Sequence, residues 1–552
     1  MEMIYKKFVN ETITEDGRLE KISYNVPDNF NFAFDIVDEW ARVQPDRKAM
    51  VWVGNDETER IFTFSDISRL SNKVANMLVS RGVKKGDKVM LVLRRHYEFW
   101  LAVIALHKIG AVAIPATDQL KQKDFEYRFS AAGVTGIICT TDGEVLQEAE
   151  LALKTYGDMK LKMTRYGGFE GWEDFSRYEE YSDVFERPQG EEGTVKDDLM
   201  LMYFTSGTTA YPKIAAHDYT YAIAHYTTAR WWHNVDPDGI HFTVSDTGWG
   251  KAAWGKLYGQ WTLGACIFTF DFDKFDQHRI LKMIEKYRIT TFCAPPTIYR
   301  FMIKADLSHY DLSSLKYITT AGEALNSEVF NQMKKATGLS LMEGFGQTET
   351  TLTVANLIGT TPKPGSMGLP NPQYDVVLLD SDGNPIPRGE VGEICIDLKN
   401  GKPLGLFAGY YRGEEQTAEA FRGGVYHTGD MAWQDEDGYF WYVGRTDDLI
   451  KSSGYRIGPF EIESVLMQHP AVLECAVTGA PDEIRGQVVK ATIVLTKGYS
   501  PSDELKKEIQ EFVKNATAPY KYPRIIDFVT ELPKTISGKI KRTELRKKDY
   551  NN

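Results

Sequence analysis

Leu199-Met200-Leu201-Met202-Tyr203-Phe204-Thr205-Ser206-Gly207-Thr208-Thr209-Ala210-Tyr211-Pro212-Lys213 decides the reading of this chain. The apolar run from Leu199 to Phe204 predicts a buried strand. Small and hydroxyl residues follow, then a proline and a lysine. Gly207 lets the backbone approach a bulky anion closely, and successive N–H groups can form a concave anion nest. Thr205, Ser206, Thr208 and Thr209 add hydroxyl donors, and Lys213 adds a point charge suited to phosphate. The G-x-x-x-x-G-K-[ST] spacing of a Walker A loop is absent. A plain Ser/Thr/Gly surface turn is the alternative. So dense a cluster between a buried strand and a lysine favours a phosphate site.

Strand and helix patterns alternate on both sides of this stretch, which predicts α/β layers. Before it, strands are expected at Lys48–Val53, Arg60–Phe64, Val89–Leu93, Ala111–Ala116 and Gly136–Thr140. Ser65 is read as the cap of a helix whose apolar positions are Ile67, Leu70, Val74, Met77 and Leu78. Residues 1 to about 30 and 157–198 read as irregular. After it, strands are expected at His241–Ser245, Ala265–Phe270, Thr290–Ala294 and Leu315–Thr320, with helices near Gln277–Tyr287 and Ser327–Thr337. From Gly365 the texture turns to β-hairpins. The block after Asp447 reads as a separate small α+β domain.

The 552 residues suffice for several modules, and 42% apolar content supports large cores. With 65 basic and 77 acidic residues the net charge is −12, which disfavours bulk nucleic-acid binding. Five scattered cysteines without a C-x-x-C predict buried free thiols rather than disulfides or zinc. No apolar leader or membrane-length run is present, so a soluble cytoplasmic protein with no membrane partner is expected.

Further Gly-bearing motifs sit where strands end, the usual ligand position in open α/β sheets. They are Ala321-Gly322-Glu323-Ala324, Gly344-Phe345-Gly346-Gln347-Thr348-Glu349, Tyr426-His427-Thr428-Gly429-Asp430, Gly444-Arg445-Thr446-Asp447 and Pro533-Lys534-Thr535-Ile536-Ser537-Gly538-Lys539. Together, and in this order, they resemble the AMP-forming acyl-CoA synthetases of the adenylate-forming superfamily, over about residues 35–545. The closest texture is that of the medium-chain and branched short-chain synthetases of bacteria and archaea. The family usually carries glycine where Ala210 stands.

The resemblance implies a fold and a set of roles. An N-terminal adenylation domain, residues 1–446, would comprise two α/β subdomains and a β-rich one. A mobile α+β lid, residues 447–552, would follow. The 205–213 loop would hold the ATP phosphates, and Thr348 and Glu349 would sit beside Mg²⁺, a cation that takes oxygen ligands. Gly322, Glu323 and Ala324 would line adenine, Phe345 could stack on it, and Gly346 and Gln347 would belong to the same nucleotide site. Asp430 and Arg445 would bind ribose. Asp447 matches a hinge. Arg456 and Lys539 would enter the site in alternate half-reactions. Ser452, Ser453, Gly454 and Tyr455 would line the coenzyme A tunnel, with Arg485 or Lys521–Arg524 near its nucleotide end.

Trp249, Trp254 and Trp261 lie where the family places the acyl group, and three tryptophans can wall a short apolar pocket. At least one of them reads equally well as core. The expected reaction joins a carboxylic acid to coenzyme A through an acyl-adenylate, at the cost of ATP cleavage to AMP and pyrophosphate. An aryl-CoA ligase and a stand-alone enzyme loading a separate carrier protein are the alternatives, no carrier domain being expected in the chain. A non-catalytic nucleotide-binding regulator would predict loss of Lys539, Glu349 or Asp430, all of which are present.

Overall fold

The computed structural model describes residues 3–205, 211–453, 455–534 and 539–550; the side chains of Arg456 and Tyr550 are outside that description. Two large sheets carry the fold. An eight-stranded sheet has the strand Lys88–Val92 near its middle, flanked by Val112–Pro115 and Gly136–Cys139. A nine-stranded sheet is centred on Ile240–Thr243, Thr291–Ala294 and Tyr317–Thr320. The inner pairs of both are parallel. Strands covered on both faces must be apolar throughout, and Val89–Val92 and Cys266–Phe270 are buried at every position.

The helix Phe64–Ser80 buries Ile67, Leu70, Val74, Met77 and Leu78, as the spacing predicts. Its cap is Thr63 rather than Ser65. Thr63 accepts from the Asp66 N–H while Asp66 accepts from the Thr63 N–H, a reciprocal pair that Ser65 cannot form. The helix Ser327–Thr337 has the expected bounds, with Asn326 as cap and Gly338 left-handed at its end.

The N-terminal stretch expected to be irregular is not, and the 157–198 stretch is mainly loop, as read, apart from short elements. The N-terminus forms a hairpin, Val9–Ile13 with Leu19–Tyr24, whose Phe8, Val9 and Leu19 reach the main core. Leu161–Thr164 and Glu173–Asp174 extend the eight-stranded sheet at its edge, where short strands in charged sequence carry little periodic signal. Gly344 to Gly346 lie within the strand Leu341–Gly346, not beyond a turn. Gly344 is required there because a Cβ would lie 2.6 Å from the Trp232 ring.

From Val376 to Arg445 a four-stranded antiparallel sheet takes over. The last sheet has five strands, beginning at Ile450–Ser452 and built on the hairpin Val472–Asp482 with Gly486–Leu495. It has its own apolar core of Ile457, Ile462, Leu466, Val489 and Ile509. All five cysteines are free and buried, as expected.

Candidate active site

Thr205 closes the strand Leu199–Thr205 and pairs across an antiparallel ladder with Lys213. Ser206, Gly207, Thr208, Thr209 and Ala210, between them, lie outside the described residues. Tyr127 braces the exit, stacking on Tyr211 at 4.7 Å and donating its hydroxyl hydrogen bond to the Pro212 carbonyl at 2.8 Å.

The Lys213 ammonium lies 4.6 Å from the centroid of the Tyr410 ring. Tyr410 donates to Glu349 Oε1 at 2.9 Å. Tyr410 reaches this point because its short strand, Gly409–Tyr410, pairs with Lys213–Asp218. Sequence reasoning missed it, since Gly409-Tyr410-Tyr411 carries no motif. Burial pushes the Glu349 carboxyl up, while the Tyr410 hydroxyl and the more distant Arg445 and Lys213 pull it down. The Thr348 carbonyl accepts from His217 Nε2 at 2.8 Å, and burial holds that imidazole neutral by lowering its pKa to about 3. Thr348 and Glu349 thus offer hard oxygen donors beside a lysine, a set that fits a magnesium ion and phosphate oxygens.

The third group forms around Asp430. The register between Val391–Asp397 and Val425–Gln434 shifts between Glu393 and Cys395, so residues 428–430 bulge from the ladder, with Gly429 at φ 69°. Asp430 Oδ2 accepts from Gln347 Nε2 at 2.6 Å and from Arg445 Nη1 at 3.1 Å; Oδ1 accepts from Tyr442 at 3.1 Å. Gln347 is itself fixed by the Tyr426 hydroxyl at 2.7 Å. Burial raises the Asp430 carboxyl, Arg445 opposes that, and Lys539 adds a smaller pull in the same direction. Lys539 also disfavours the charge of Lys251, whose ammonium burial already destabilises and which donates to the Ala321 carbonyl at 2.7 Å. One exposed lysine of the last sheet's domain is therefore felt at two points of the nucleotide-side pocket. The same two parts meet where Asn326 Nδ2 donates to the Ser464 carbonyl at 3.2 Å.

Gly322 takes φ 107° with open space where a Cβ would project. Glu323 faces away from that space: its Oε1 accepts from the Thr297 N–H at 2.8 Å and from the Thr297 hydroxyl, and it pairs with Arg300. Ala324 is half-buried, and Phe345 packs partly against Val354 and Met367. Asp447 sits in a turn, 3.9 Å from Arg445 Nε, and its carbonyl accepts from Arg546 at 3.1 Å.

The three tryptophans separate. Trp254 lies against Gly346, where a Cβ would be 2.3 Å from the ring, and its ring centroid is 6.2 Å from that of Trp232. Trp249 is half-buried and precedes Gly250, whose Cβ position is 3.7 Å from Thr348. Trp261 is not brought there. It has no exposure, donates to the Ala49 carbonyl at 2.9 Å and packs on Phe64, so it is core. In the proposed thiol tunnel Ser452 is buried, Ser453 takes φ 49° and Tyr455 stacks on Tyr520 at 4.1 Å; Gly454 lies outside the described residues. For Arg456 only the backbone is described, paired with Lys451.

The AMP-binding enzyme family matches residues 37–411, and the AMP-binding enzyme C-terminal domain matches residues 461–539. The chain belongs to the AMP-binding enzymes. Among curated relatives, the mitochondrial acyl-coenzyme A synthetase ACSM3 of Mus musculus is 41% identical over 563 residues, covering 100% of this chain and 96% of its own. The human mitochondrial ACSM4 is 41% identical, covering 98% and 94%. Among solved structures, an anthranilate CoA ligase in complex with anthranoyl-AMP superposes with a TM-score of 0.87 at 30% identity, covering 95% of this chain and 98% of that one. The synthetase is thus an acid–thiol ligase that forms acyl-CoA through an acyl-adenylate, as the motifs imply, and the carrier-loading alternative is not favoured. Its cytoplasmic placement is corrected. These curated relatives are mitochondrial, which points to mitochondria rather than the cytoplasm.

Proposed function

We propose that the synthetase activates medium-chain or branched short-chain carboxylic acids with MgATP, using one mobile lysine for the first half-reaction. The observation that carries this reading is the pairing of Lys213, Tyr410 and Glu349 beside the Gln347–Asp430–Arg445 cluster, with the charge of Lys539 bearing on Asp430. Thr205, Lys213 and the turn between them hold the β- and γ-phosphates. Asp430 accepts from the ribose hydroxyls, oriented by Gln347, Arg445 and Tyr442. Gly322 to Ala324 and Phe345 flank adenine. Glu349, with Thr348, holds the magnesium ion, which supplies charge neutralisation on the phosphates when bound.

The acid arrives ionised and needs no general base. Its oxygen attacks the α-phosphorus and pyrophosphate leaves; Lys539 stabilises charge developing on the transferring phosphate. The coenzyme A thiol then attacks the acyl carbon, and AMP leaves. The mixed anhydride hydrolyses readily, so water is excluded between the steps. A lid of residues 447–552, hinged at Asp447, serves that need by exchanging Lys539 for the face carrying Ser452 to Arg456. Trp254 and Trp249 bound the acyl chain.

A panel of straight, branched and aryl acids, assayed for pyrophosphate release with and without coenzyme A, tests the proposal. Acids of roughly four to eight carbons should lead, each accommodated methylene adding about 0.8 kcal/mol until the wall is met. A preference for benzoate-like acids would replace this acyl assignment with an aryl one, and production of ADP would remove the adenylate mechanism altogether.

A further inference from the structure

In the four-stranded sheet Cys395 stands directly opposite His427, in register across the antiparallel strands Val391–Asp397 and Val425–Gln434. Cys395 Sγ is 3.6 Å from His427 Nδ1, and Glu393 Oε2 is 2.9 Å from the same nitrogen. The three ligand-type atoms lie within 4.8 Å of one another, and among the described residues no other group of three such side chains does so. We propose that Glu393, Cys395 and His427 bind a divalent transition ion of the zinc class, at a site separate from the magnesium of the reaction.

The geometry argues for it. Zinc bonds of about 2.3 Å to sulfur and about 2.0 Å to nitrogen, at a tetrahedral angle, separate the two ligand atoms by about 3.5 Å. The observed Sγ···Nδ1 distance of 3.6 Å is close to that value. The carboxylate has to open from the imidazole by only a few tenths of an ångström. Cys395 is fully buried, while the His427 and Glu393 side chains keep 12% and 13% exposure, so the site lies near the surface. A single imidazole nitrogen cannot donate to the carboxylate and the thiol at once; a cation satisfies all three groups. Arg422 is the competing charge, 3.8 Å from Glu393, but it is half-exposed and its shorter pairing is with Glu419 at 2.9 Å. Binding forms a metal–sulfur bond and releases the thiol proton to solvent. The imidazole supplies its Nδ1 lone pair with its proton on Nε2, and no redox change occurs. No sequence spacing reveals the site, because its ligands come from two strands that pair only in the fold.

The site touches the nucleotide pocket through the backbone. His427 is the base of the bulge that carries Asp430. Glu393 Oε1 accepts from the Gly429 N–H at 2.8 Å, and the Thr428 hydroxyl donates to the Ile394 carbonyl at 2.7 Å. An ion drawing Glu393 toward Cys395 pulls on the bulge and disturbs the Asp430 carboxylate. The ion should therefore raise the KM for ATP with little change in kcat.

The test uses the reduced, chelator-treated full-length enzyme titrated with cobalt(II). Wild type should bind one equivalent with a thiolate-to-cobalt absorption band that zinc displaces. Cys395→Ser should lose the band while keeping the activity of the metal-free enzyme. Glu393→Gln should weaken cobalt binding by about tenfold or more, the scale on which even indirect partners of a metal act. One equivalent of zinc should raise the KM for ATP several-fold in wild type and leave it unchanged in Cys395→Ser. A band that persists in Cys395→Ser, the lack of any band in wild type, or a zinc effect equal in both proteins overturns the site. Should Cys395→Ser prove unstable, the affinity of Glu393→Gln decides: binding as tight as wild type overturns it.

Discussion

The Tyr410 hydroxyl donates to Glu349 Oε1 at 2.9 Å while its ring receives the Lys213 ammonium at 4.6 Å. One side chain thus contacts both the Glu349 carboxylate and the Lys213 ammonium. Tyr410→Phe keeps the ring and removes the hydrogen bond. Burial already raises the Glu349 carboxyl and the hydroxyl pulls it down, so its loss moves the pKa further up. The carboxylate must be ionised to hold the cation. Activity falls as pH drops through its pKa, and that acid limb should shift to higher pH in the variant. A charge-linked hydrogen bond is worth about 1.5–3 kcal/mol, which corresponds to a roughly tenfold or greater loss in kcat/KM near neutrality. A pH–rate profile of pyrophosphate release that is superimposable on wild type would show that Tyr410 does not govern Glu349.

Glu343 gives a stability prediction with a definite sign. Its carboxyl is buried, accepts from the Leu325 N–H at 3.1 Å and is pushed up to about 8 by desolvation. The folded protein therefore holds a proton there that the unfolded chain, with an ordinary glutamate, releases near pH 4.5. Stability from this group is fully present below that value and is lost as pH rises toward 8. Glu343→Gln mimics the neutral form. The variant should melt close to wild type at pH 5 and clearly above it at pH 9, since a tenfold change in acidity between the folded and unfolded chain is worth about 1.4 kcal/mol. Equal melting differences at the two pH values would mean that Glu343 is ionised in the fold.

Local chemistry explains which parts of the site were legible beforehand. Thr205, Lys213, Gln347, Thr348, Glu349, Asp430 and Arg445 lie in short motifs at strand ends, where backbone geometry and function select the same residues. Strand pairing then brings Arg445 to Asp430, and Gln347 reaches the same carboxylate from the neighbouring sheet. Tyr410, Tyr442 and Lys251 were not legible: each arrives by long-range pairing or packing from sequence that looks like ordinary core. Trp261 was misassigned for the converse reason. A tryptophan seven residues after Trp254, in the next short helix, looks the same whether it faces ligand or core, and only the Ala49 carbonyl and Phe64 distinguish the two. Glu323 matched its motif, yet its carboxylate serves Thr297 and Arg300.

The tryptophans therefore predict opposite outcomes. Trp254→Ala opens space beside Gly346 and should shift preference toward longer acids, whatever it costs in stability. Trp261→Ala empties a fully enclosed site and should cost about 3–5 kcal/mol of stability, with no change in chain-length order. Melting curves and acid panels on both variants check this. An unchanged profile in Trp254→Ala would move the acyl pocket elsewhere.

Lys539 separates the half-reactions. Its charge bears on both Lys251 and Asp430, and Asn326 meets Ser464, so the domain that carries Lys539 packs against the domain that carries Asp430. A lysine contacting the transferring phosphate mainly in the transition state should lower kcat for adenylation far more than it alters binding of ATP. Lys539→Ala should thus abolish pyrophosphate release while supplied acyl-AMP and coenzyme A still yield thioester. Asp447 lies in the turn between Arg445 and the last sheet, and its carbonyl is held by Arg546. Asp447→Pro fixes one backbone angle of that turn. It should permit adenylation and slow thioester formation. Asn326→Ala removes the contact to Ser464 without touching either reacting group, and should weaken adenylation by about fivefold, the scale of one net hydrogen bond, while sparing the second step. Each step is measured alone in all three variants. If Lys539→Ala and Asp447→Pro lose both steps equally, a single lid position must serve the whole reaction, and the exchange of Lys539 for the Ser452–Arg456 face does not occur.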